Sequence, residues 1–413
     1  MPAKRRTIRR GFAAQGEIRA SHDLLGRPIV GLDTPELQRF IAAKVILVTG
    51  AGGSIGSEIC RQCLRYCPAR LVLVERSENA LFEVDRELRD RWVGAPIVPV
   101  LADVTDLARM EQVFAAHAPA VVFHAAAHKH VPLMEHNPGE AVKNNIFGTQ
   151  AVLKLSARHR VGTFVLISTD KAVNPTSVMG ASKRVAEMLV QGGHGQEGTE
   201  PRRHAVTACL APSQSRAAAP RPRFSAVRFG NVLGSSGSVV PIFRRQIERG
   251  GPVTVTHPEM RRYFMTIPEA SQLVMQAAAT GEGGEVFVLD MGEPIRIYDL
   301  AERLIRQAGL RPNKDIEIRI TGPRPGEKLF EELALPADRT LPTAHPKIRV
   351  WELPRVTPRD VELMLADLRE VIDAPREHVI AALMRWVPEY QPAGLQQTLP
   401  RLAVDADSVA AAA

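Results

Sequence analysis

The 413-residue chain is 45% hydrophobic and 24% charged, with a net charge of +8, which suits one large globular domain with a smaller partner, or two ordinary domains. Four cysteines exclude a disulfide scaffold, and no apolar run reaches the roughly 18 residues of a membrane-spanning helix. The positive charge favours an anionic partner but does not choose among a phosphorylated small molecule, nucleic acid and a lipid surface.

Residues 1–42 read as a basic arm and linker. MPAKRRTIRR has no apolar stretch after it, so it is no secretory signal. Lys4, Arg5, Arg6, Arg9 and Arg10 form a solvated tail, with weak contact to an anionic membrane surface as the alternative. A short helix follows, with Thr34 as N-cap and Pro35 in its first position. KVILVT (44–49) is a buried strand, then glycines and a helix from about Ser54. Cys60, Cys63 and Cys67 fall on that helix and make a buried stripe rather than a metal site, and a reducing cytoplasm fits free thiols. LVLVE (71–75) precedes a helix with apolar Leu81, Val84 and Leu88, and IVPVLAD (97–103), AVVFHAA (120–126), TFVLIST (163–169) and FSAVRF (224–229) continue the strands. Nearly continuous apolar strands separated by helices predict an α/β protein with a doubly wound parallel sheet covered on both faces. Residues 192–223, rich in Gly, Pro, Ala, Ser and Arg, read as a disordered insertion, and residues 393–413 as a tail that frays from Ala403.

In VTGAGGSIGSE, Gly50, Gly53 and Gly56 stand between a strand and a helix, where glycines let backbone approach a pyrophosphate seated on the helix N-terminus. Glu75 ends the second strand, the place of an acid that grips the adenosine ribose of NAD. Arg76 and Ser77 follow and suit a 2′-phosphate instead, so NAD and NADP both stand. Asp103, at the end of the third strand, faces adenine or caps the helix beginning near Thr105. The candidate cofactor set is Gly50, Gly53, Ser54, Ile55, Gly56, Glu75, Arg76, Asp103, Val104, Ala125 and Lys183.

ISTDKAVNPTSVMGASKR (167–184) lies at the carboxyl end of the fifth strand, the edge where open α/β sheets bind ligands. A short-chain dehydrogenase has Tyr-x-x-x-Lys here; this chain has Met179-x-x-x-Lys183, and methionine transfers no proton. Asp170 and Lys171, after Thr169, are the candidates for proton exchange, tuned by burial and by each other. The alternative for such a dipeptide is a surface ion pair.

Six stretches stand in order: VTGAGGSIGSE, VFHAAAHKHVPLME (122–135), ISTDKAVNPTSVMGASKR, VRFGNVLGSSGSVVP (227–241), THPEMRRYFMTIPEA (256–270) and RPGEKLFEEL (324–333). Together they resemble the polysaccharide-biosynthesis branch of the extended short-chain dehydrogenases, the nucleotide-sugar 4,6-dehydratases, from about Glu17 to Pro392. The resemblance implies a Rossmann domain over 43–232 that takes back a helix at 267–280, and a smaller α/β substrate-binding domain from 233–265 and 291–392. It implies a tightly bound NAD or NADP regenerated in each turnover, a UDP-N-acetylhexosamine substrate, and a homo-oligomer. In the implied reaction, hydride leaves carbon 4 of UDP-N-acetylglucosamine, water is lost across carbons 5 and 6, and the hydride returns to carbon 6. Asp170 is then the acid for the 6-hydroxyl, Lys171 the base at carbon 5, Thr169 a partner of the 4-hydroxyl, and Lys183 the holder of the nicotinamide ribose. Larger, membrane-linked members of the family also carry methionine at the Met179 position. Asn231, Arg262 and Arg324 fall at phosphate-contacting positions, Glu327 where an acid meets the uridine ribose, and Lys129 and His130 near cofactor or sugar; the sequence does not distinguish Arg261 from Arg262. Long members carry membrane helices and a further domain before this module, so this chain is a short form or a truncation. His124 and His128 read as structural, and no metal is expected. A UDP-sugar 4-epimerase, which would need tyrosine at 179, and a silent NAD(P)-binding regulatory protein are the rival readings. Nucleic acid is set aside for want of basic–aromatic interleaving.

Overall fold

The computed structural model describes residues 35–193, 222–332 and 340–392. The expected N-cap Thr34, the basic arm and the tail lie outside the described residues, as does nearly all of the expected insertion. Gly192 and Gly193 still belong to a helix, and Arg223 already begins a strand.

Each apolar run seen in the sequence forms a strand, and alternate side chains of each strand enter opposite cores. Helix α1 (Pro35–Ile41) leads to β1 (Val45–Thr49), α2 (Ser54–Arg65), β2 (Arg70–Glu75), α3 (Glu78–Arg91), β3 (Ile97–Leu101), α4 (Leu107–His117) and β4 (Val121–His124). Then come α5 (Val131–His136), α6 (Pro138–Ala141), a π-helical turn (Val142–Phe147), α7 (Gly148–Arg158), β5 (Thr163–Ile167), a 3-10 turn (Asp170–Ala172), α8 (Val178–Gly193) and β6 (Arg223–Arg228). In β1, Ile46 and Val48 pack with Ile59, Leu81 and Leu273, while Leu47 on the other face joins the core of Phe114, Phe164 and Val185. These side chains are at most 7% exposed, so truncating one of the phenylalanines to alanine costs about 3–5 kcal/mol.

The remaining elements are β7 (Asn231–Val232), α9 (Val239–Glu248), β8 (Val253–Val255), β9 (Arg261–Arg262), β10 (Phe264–Met265), α10 (Ile267–Thr280), β11 (Val286–Leu289), β12 (Ile295–Arg296), α11 (Ile297–Gln307), β13 (Ile318–Ile320), β14 (Thr340–Pro342), β15 (Ile348–Trp351), α12 (Pro358–Glu370) and α13 (Arg376–Trp386). The main sheet runs β14-β15-β11-β6-β5-β4-β1-β2-β3. From β3 to β11 all neighbours are parallel, and β15 and β14 add antiparallel strands at one edge. This is a doubly wound Rossmann sheet. Strand order reverses between β1 and β4, which opens a crevice at the carboxyl ends of those strands.

The chain divides differently from the sequence expectation of one substrate-binding segment over 291–392. A second, smaller core joins Phe243, Ile247, Phe264, Leu300 and Leu304, from 233–264 and 295–318. Residues 340–392 return to the first: β14 and β15 extend its sheet, and α12 and α13 pack on α8 through Met364, Leu368 and Leu383. The cysteine stripe is also shorter than expected. Cys60 and Cys63 are buried in α2, but the helix ends at Arg65, and Cys67 lies exposed beyond it with φ 51°.

Candidate active site

At the crevice the chain leaves β1 through Gly50, whose φ of 65° suits glycine. A Cβ at position 56 would lie 2.1 Å from the Gly50 carbonyl oxygen, so only glycine lets α2 start this close to the strand. Glu75 secures the turn: its Oε2 accepts from the Gly52 amide at 3.1 Å, and its Oε1 accepts from the Arg76 and Ser77 amides at 3.0 Å each. A cavity of about 270 Å³ opens here, lined among others by Gly50, Gly53, Glu75, Arg76, Val104 and Ala125. Asn144 also lines it, a residue the sequence did not single out. Gly56, Ser54 and Ile55 lie at the start of α2 rather than on the cavity wall, and the Ser54 hydroxyl accepts from the Ser236 amide at 3.0 Å. Asp103 is not a helix cap. Its Oδ1 accepts from the Thr105 amide and hydroxyl at 2.8 and 2.7 Å, its Oδ2 sits 3.7 Å from Arg76, and Asp106 caps α4 instead. Burial works against the Asp103 carboxylate, but these partners outweigh it and hold its pKa below the usual value.

One strand over, β5 delivers Thr169, Asp170 and Lys171 as a compact unit. The Thr169 hydroxyl donates to Asp170 Oδ1 at 2.9 Å, and Lys171 Nζ donates to the same oxygen at 3.0 Å. Lys171 Nζ also reaches Asn231 Oδ1 at 3.2 Å and Glu331 Oε1 at 3.1 Å. The Asp170 side chain is fully buried, and its Oδ2 has no hydrogen-bond partner. Burial raises the Asp170 pKa, with Glu331 adding to the rise and Lys171 opposing it. For Lys171, burial pulls downward, but the Asp170 and Glu331 carboxylates outweigh it and the net shift is upward. Two buried carboxylates and a half-buried lysine thus replace the surface ion pair that the dipeptide alone would suggest.

Helix α8 brings Met179 and Lys183 beside that cluster. Met179 is 3% exposed and packs with the apolar core. Lys183 is 4% exposed. Burial, partly offset by Glu187, pushes its pKa down to about 8. Below it, Glu187 accepts from Ser168 at 2.6 Å and from Arg228 at 2.6 and 2.5 Å, tying the ends of β5 and β6 to the helix. His124 links Thr49 and Thr149 at 2.7 and 3.0 Å, and burial holds its pKa down to about 3, so it is a neutral structural bridge.

The segment carrying RPGEKLFEEL lies along the turn that follows β5. Thr176 donates to the Gly326 carbonyl at 3.0 Å, Lys328 to the Val173 carbonyl at 3.0 Å, and Asn174 to Glu332 at 2.6 Å. Arg262 does not stand ready for a phosphate. Strand alternation turns it inward, where it donates to the carbonyls of Arg261, Lys328 and Leu329 at 2.7, 2.6 and 3.1 Å, and its Nε lies 3.2 Å from Glu331. Its neighbour Arg261 is exposed and lines a second cavity, of about 250 Å³, with Arg296 and Arg303. Arg324 is exposed, its amide donating to Glu327 at 3.2 Å. Lys129 follows β4, with its pKa lowered by burial, and next to it the His130 ring lies where a Cβ at Gly237 would come within 2.5 Å.

Residues 46–352 match the family described as polysaccharide biosynthesis protein. The chain belongs to that family. It is 50% identical to the capsular polysaccharide biosynthesis protein CapD of Staphylococcus aureus over 84% of this chain and 54% of that one, so it spans about half that relative's length. A UDP-N-acetylglucosamine 4,6-dehydratase (inverting) of Campylobacter jejuni is 32% identical over 70% of this chain and 76% of its own. A UDP-glucose 4-epimerase of Rickettsia rickettsii is 30% identical over 70% and 77%. The X-ray structure of Pen from Bacillus thuringiensis has TM-score 0.67 and 33% identity, over 77% of this chain and 90% of that one.

In this polysaccharide biosynthesis family member, one region thus unites Thr169, Asp170, Lys171, Asn231 and the strap bearing Glu327. Glu331, like Asn144, is a residue the sequence did not single out. Three acids crowd the strap, and nothing in their spacing tells that Glu331 is 7% exposed while its neighbour Glu332 faces solvent. Among the described residues no three His, Cys, Asp or Glu side chains form a metal-ligand group, and no helix is long and apolar enough to cross a membrane.

Proposed function

We propose that the chain is a nucleotide-sugar 4,6-dehydratase acting on UDP-N-acetylglucosamine, with a nicotinamide dinucleotide in the crevice between β1 and β4. The cofactor reading is supported by the glycine cradle, whose backbone would meet any added Cβ, and by the buried Lys183 one turn from Met179. When bound, that cofactor supplies a hydride acceptor for carbon 4 and the same hydride for carbon 6.

The observation that carries the reading is the buried Asp170–Lys171 pair beside a methionine. An epimerase only oxidises and re-reduces carbon 4, and it has no use for an acid to expel a hydroxyl. A dehydratase must move two protons in four transfers, each off one position and onto another, and the residues match that need. The 4-hydroxyl proton passes through the Thr169 hydroxyl to Asp170 Oδ1, along the 2.9 Å contact already present. Lys171, in the minor neutral form that its raised pKa leaves, takes the carbon-5 proton, acidified by the new ketone. Asp170 returns its proton to the 6-hydroxyl, which leaves as water, and the Lys171 ammonium, whose hydrogens exchange with solvent, returns one to carbon 5. Atoms balance to one water lost, and both residues end as they began. Met179 contributes packing alone.

Arg261 is the better diphosphate ligand of the neighbouring pair, since Arg262 spends its donors internally, and Arg324 and Glu327 stand at the open side of the strap. The test is to incubate purified protein with UDP-N-acetylglucosamine in deuterated water and follow the sugar by NMR. A 4-keto-6-deoxy product carrying deuterium at carbon 5 is expected. Simple exchange at carbon 4 to the galacto isomer would establish the epimerase instead, and unchanged sugar with cofactor bound would reject both.

A further inference from the structure

We propose that Glu331 is a positioning residue for the catalytic pair: from the strap it holds the Lys171 ammonium opposite Asp170 and beside Asn231, so the pair is fully assembled only while the strap is seated. The inference rests on the dehydratase reading for its consequence in turnover, but its geometry stands independently.

Three observations meet at Glu331. Its Oε1 lies 3.1 Å from Lys171 Nζ and 3.2 Å from Arg262 Nε, so a single oxygen joins the catalytic lysine to the arginine that fastens the strap. Its side chain is 2% exposed, and its Oε2 has no hydrogen-bond partner. Asp170, across the ammonium, is arranged in the same way: Oδ1 is occupied and Oδ2 is bare and buried. Two buried carboxylates therefore share one ammonium, and each keeps one oxygen unused. The bare Asp170 oxygen lies beside Gly230, where a Cβ would come within 3.1 Å, so the side facing that glycine stays clear.

The charges around the pair distinguish the two acids. Asp170 faces Lys171, Thr169 and Glu331, with Tyr263 near enough to feel its charge. Glu331 faces Lys171 and Arg262, with Lys328 further along the strap. Burial raises both carboxyls, but two cations outweigh it at Glu331, whereas Asp170 remains raised. Glu331 is thus the settled anion and Asp170 the acid free to gain and lose a proton.

The experiment uses the full chain without ligand. The Asp170 carboxyl and Lys171 ammonium are followed through a pH titration by NMR with labelled aspartate and lysine, assigned with Asp170→Asn and Lys171→Met. Removing a negative neighbour lowers both pKa values, so Glu331→Gln is expected to move both midpoints down by about one pH unit or more. Unmoved midpoints would overturn the proposal. In turnover, the ascending limb of kcat against pH moves down with the lysine, and Glu331→Asp, which keeps the charge but shortens the reach, lowers kcat about tenfold with KM little changed. A lower Tm with neither effect would make Glu331 merely structural. Should Glu331→Gln fail to fold, the kcat and KM split of Glu331→Asp decides alone. If the wild-type protein makes no dehydrated product, the dehydratase reading falls while the titration still decides Glu331.

Discussion

Gly180 and Lys171 lie so close that a Cβ on residue 180 would stand 2.2 Å from the Lys171 carbonyl oxygen. Helix α8, which carries Met179 and Lys183, is thereby pressed directly onto the Asp170–Lys171 turn. Glycine inside a helix ordinarily costs about 1 kcal/mol relative to alanine, so Gly180→Ala would stabilise a helix free to accept it. Here the added methyl must push the helix from the turn. Gly180→Ala is expected to lower stability by about 1–3 kcal/mol and to reduce kcat more than KM, as measured by urea unfolding and initial rates. A stabilised, fully active variant would show that the helix and turn are not held in this contact.

Why some of this was legible and some not follows from how each feature is encoded. β1, β2 and β4 are short apolar runs buried on both faces, and such runs are visible from composition alone. The glycine turn was legible because its constraint is local: Gly50 and Gly56 answer to each other across six residues. Asp170 and Lys171 were legible by position, at the end of a recognisable strand. Glu331 was not, because its partners are 160 and 69 residues away, and only tertiary packing separates it from Glu332. The inward turn of Arg262 depends likewise on β9 pairing with β12. The place of β14 and β15 was hidden because short antiparallel edge strands carry little pattern of their own.

Lys183 gives a pH dependence whose sign is fixed. Burial, with Glu187 opposing, lowers its folded pKa from 10.5 to about 8. Between those values the unfolded chain binds the extra proton and the folded protein does not, so stability rises with pH across that window. Below pH 8 both states are protonated and the full cost of burying the charge applies. The shift corresponds to about 3 kcal/mol. Unfolding free energies of cofactor-free wild type and Lys183→Met should therefore differ most below pH 8, in favour of the variant, and converge toward pH 10.5. A difference independent of pH would mean that Lys183 is not charged in the buried site.

The Arg228–Glu187 pair predicts a non-additive result. Arg228 is 2% exposed, grips both Glu187 oxygens at 2.6 and 2.5 Å, and lies 4.4 Å from the Trp351 ring centre. Arg228→Met leaves Glu187 buried with Ser168 at 2.6 Å and Arg184 at 3.6 Å, and removing one partner of a buried pair costs about 3–5 kcal/mol. Adding Glu187→Met should recover a good part of that loss, because no uncompensated charge remains. Denaturant unfolding of both singles and the double forms the cycle. Strictly additive losses would indicate that the two side chains do not act as a pair.

Arg261 and Arg262, adjacent in sequence, should fail in opposite ways. Arg262 donates to three carbonyls and meets the buried Glu331, so alanine there strips the strap of its fastening and leaves the Glu331 carboxylate without its arginine. Leaving a buried polar group unsatisfied costs about 1–3 kcal/mol, so Arg262→Ala should lower Tm markedly and reduce kcat through Lys171. Arg261 is exposed at the rim of the second cavity, where its loss leaves no buried group unpaired. Arg261→Ala should keep Tm nearly unchanged and raise KM for a nucleotide sugar about tenfold or more, as for a charged contact to a diphosphate. Thermal unfolding with Michaelis kinetics on both variants separates the two roles. The reverse pattern, KM rising for Arg262→Ala without loss of Tm, would restore the phosphate role that the family resemblance gave to Arg262.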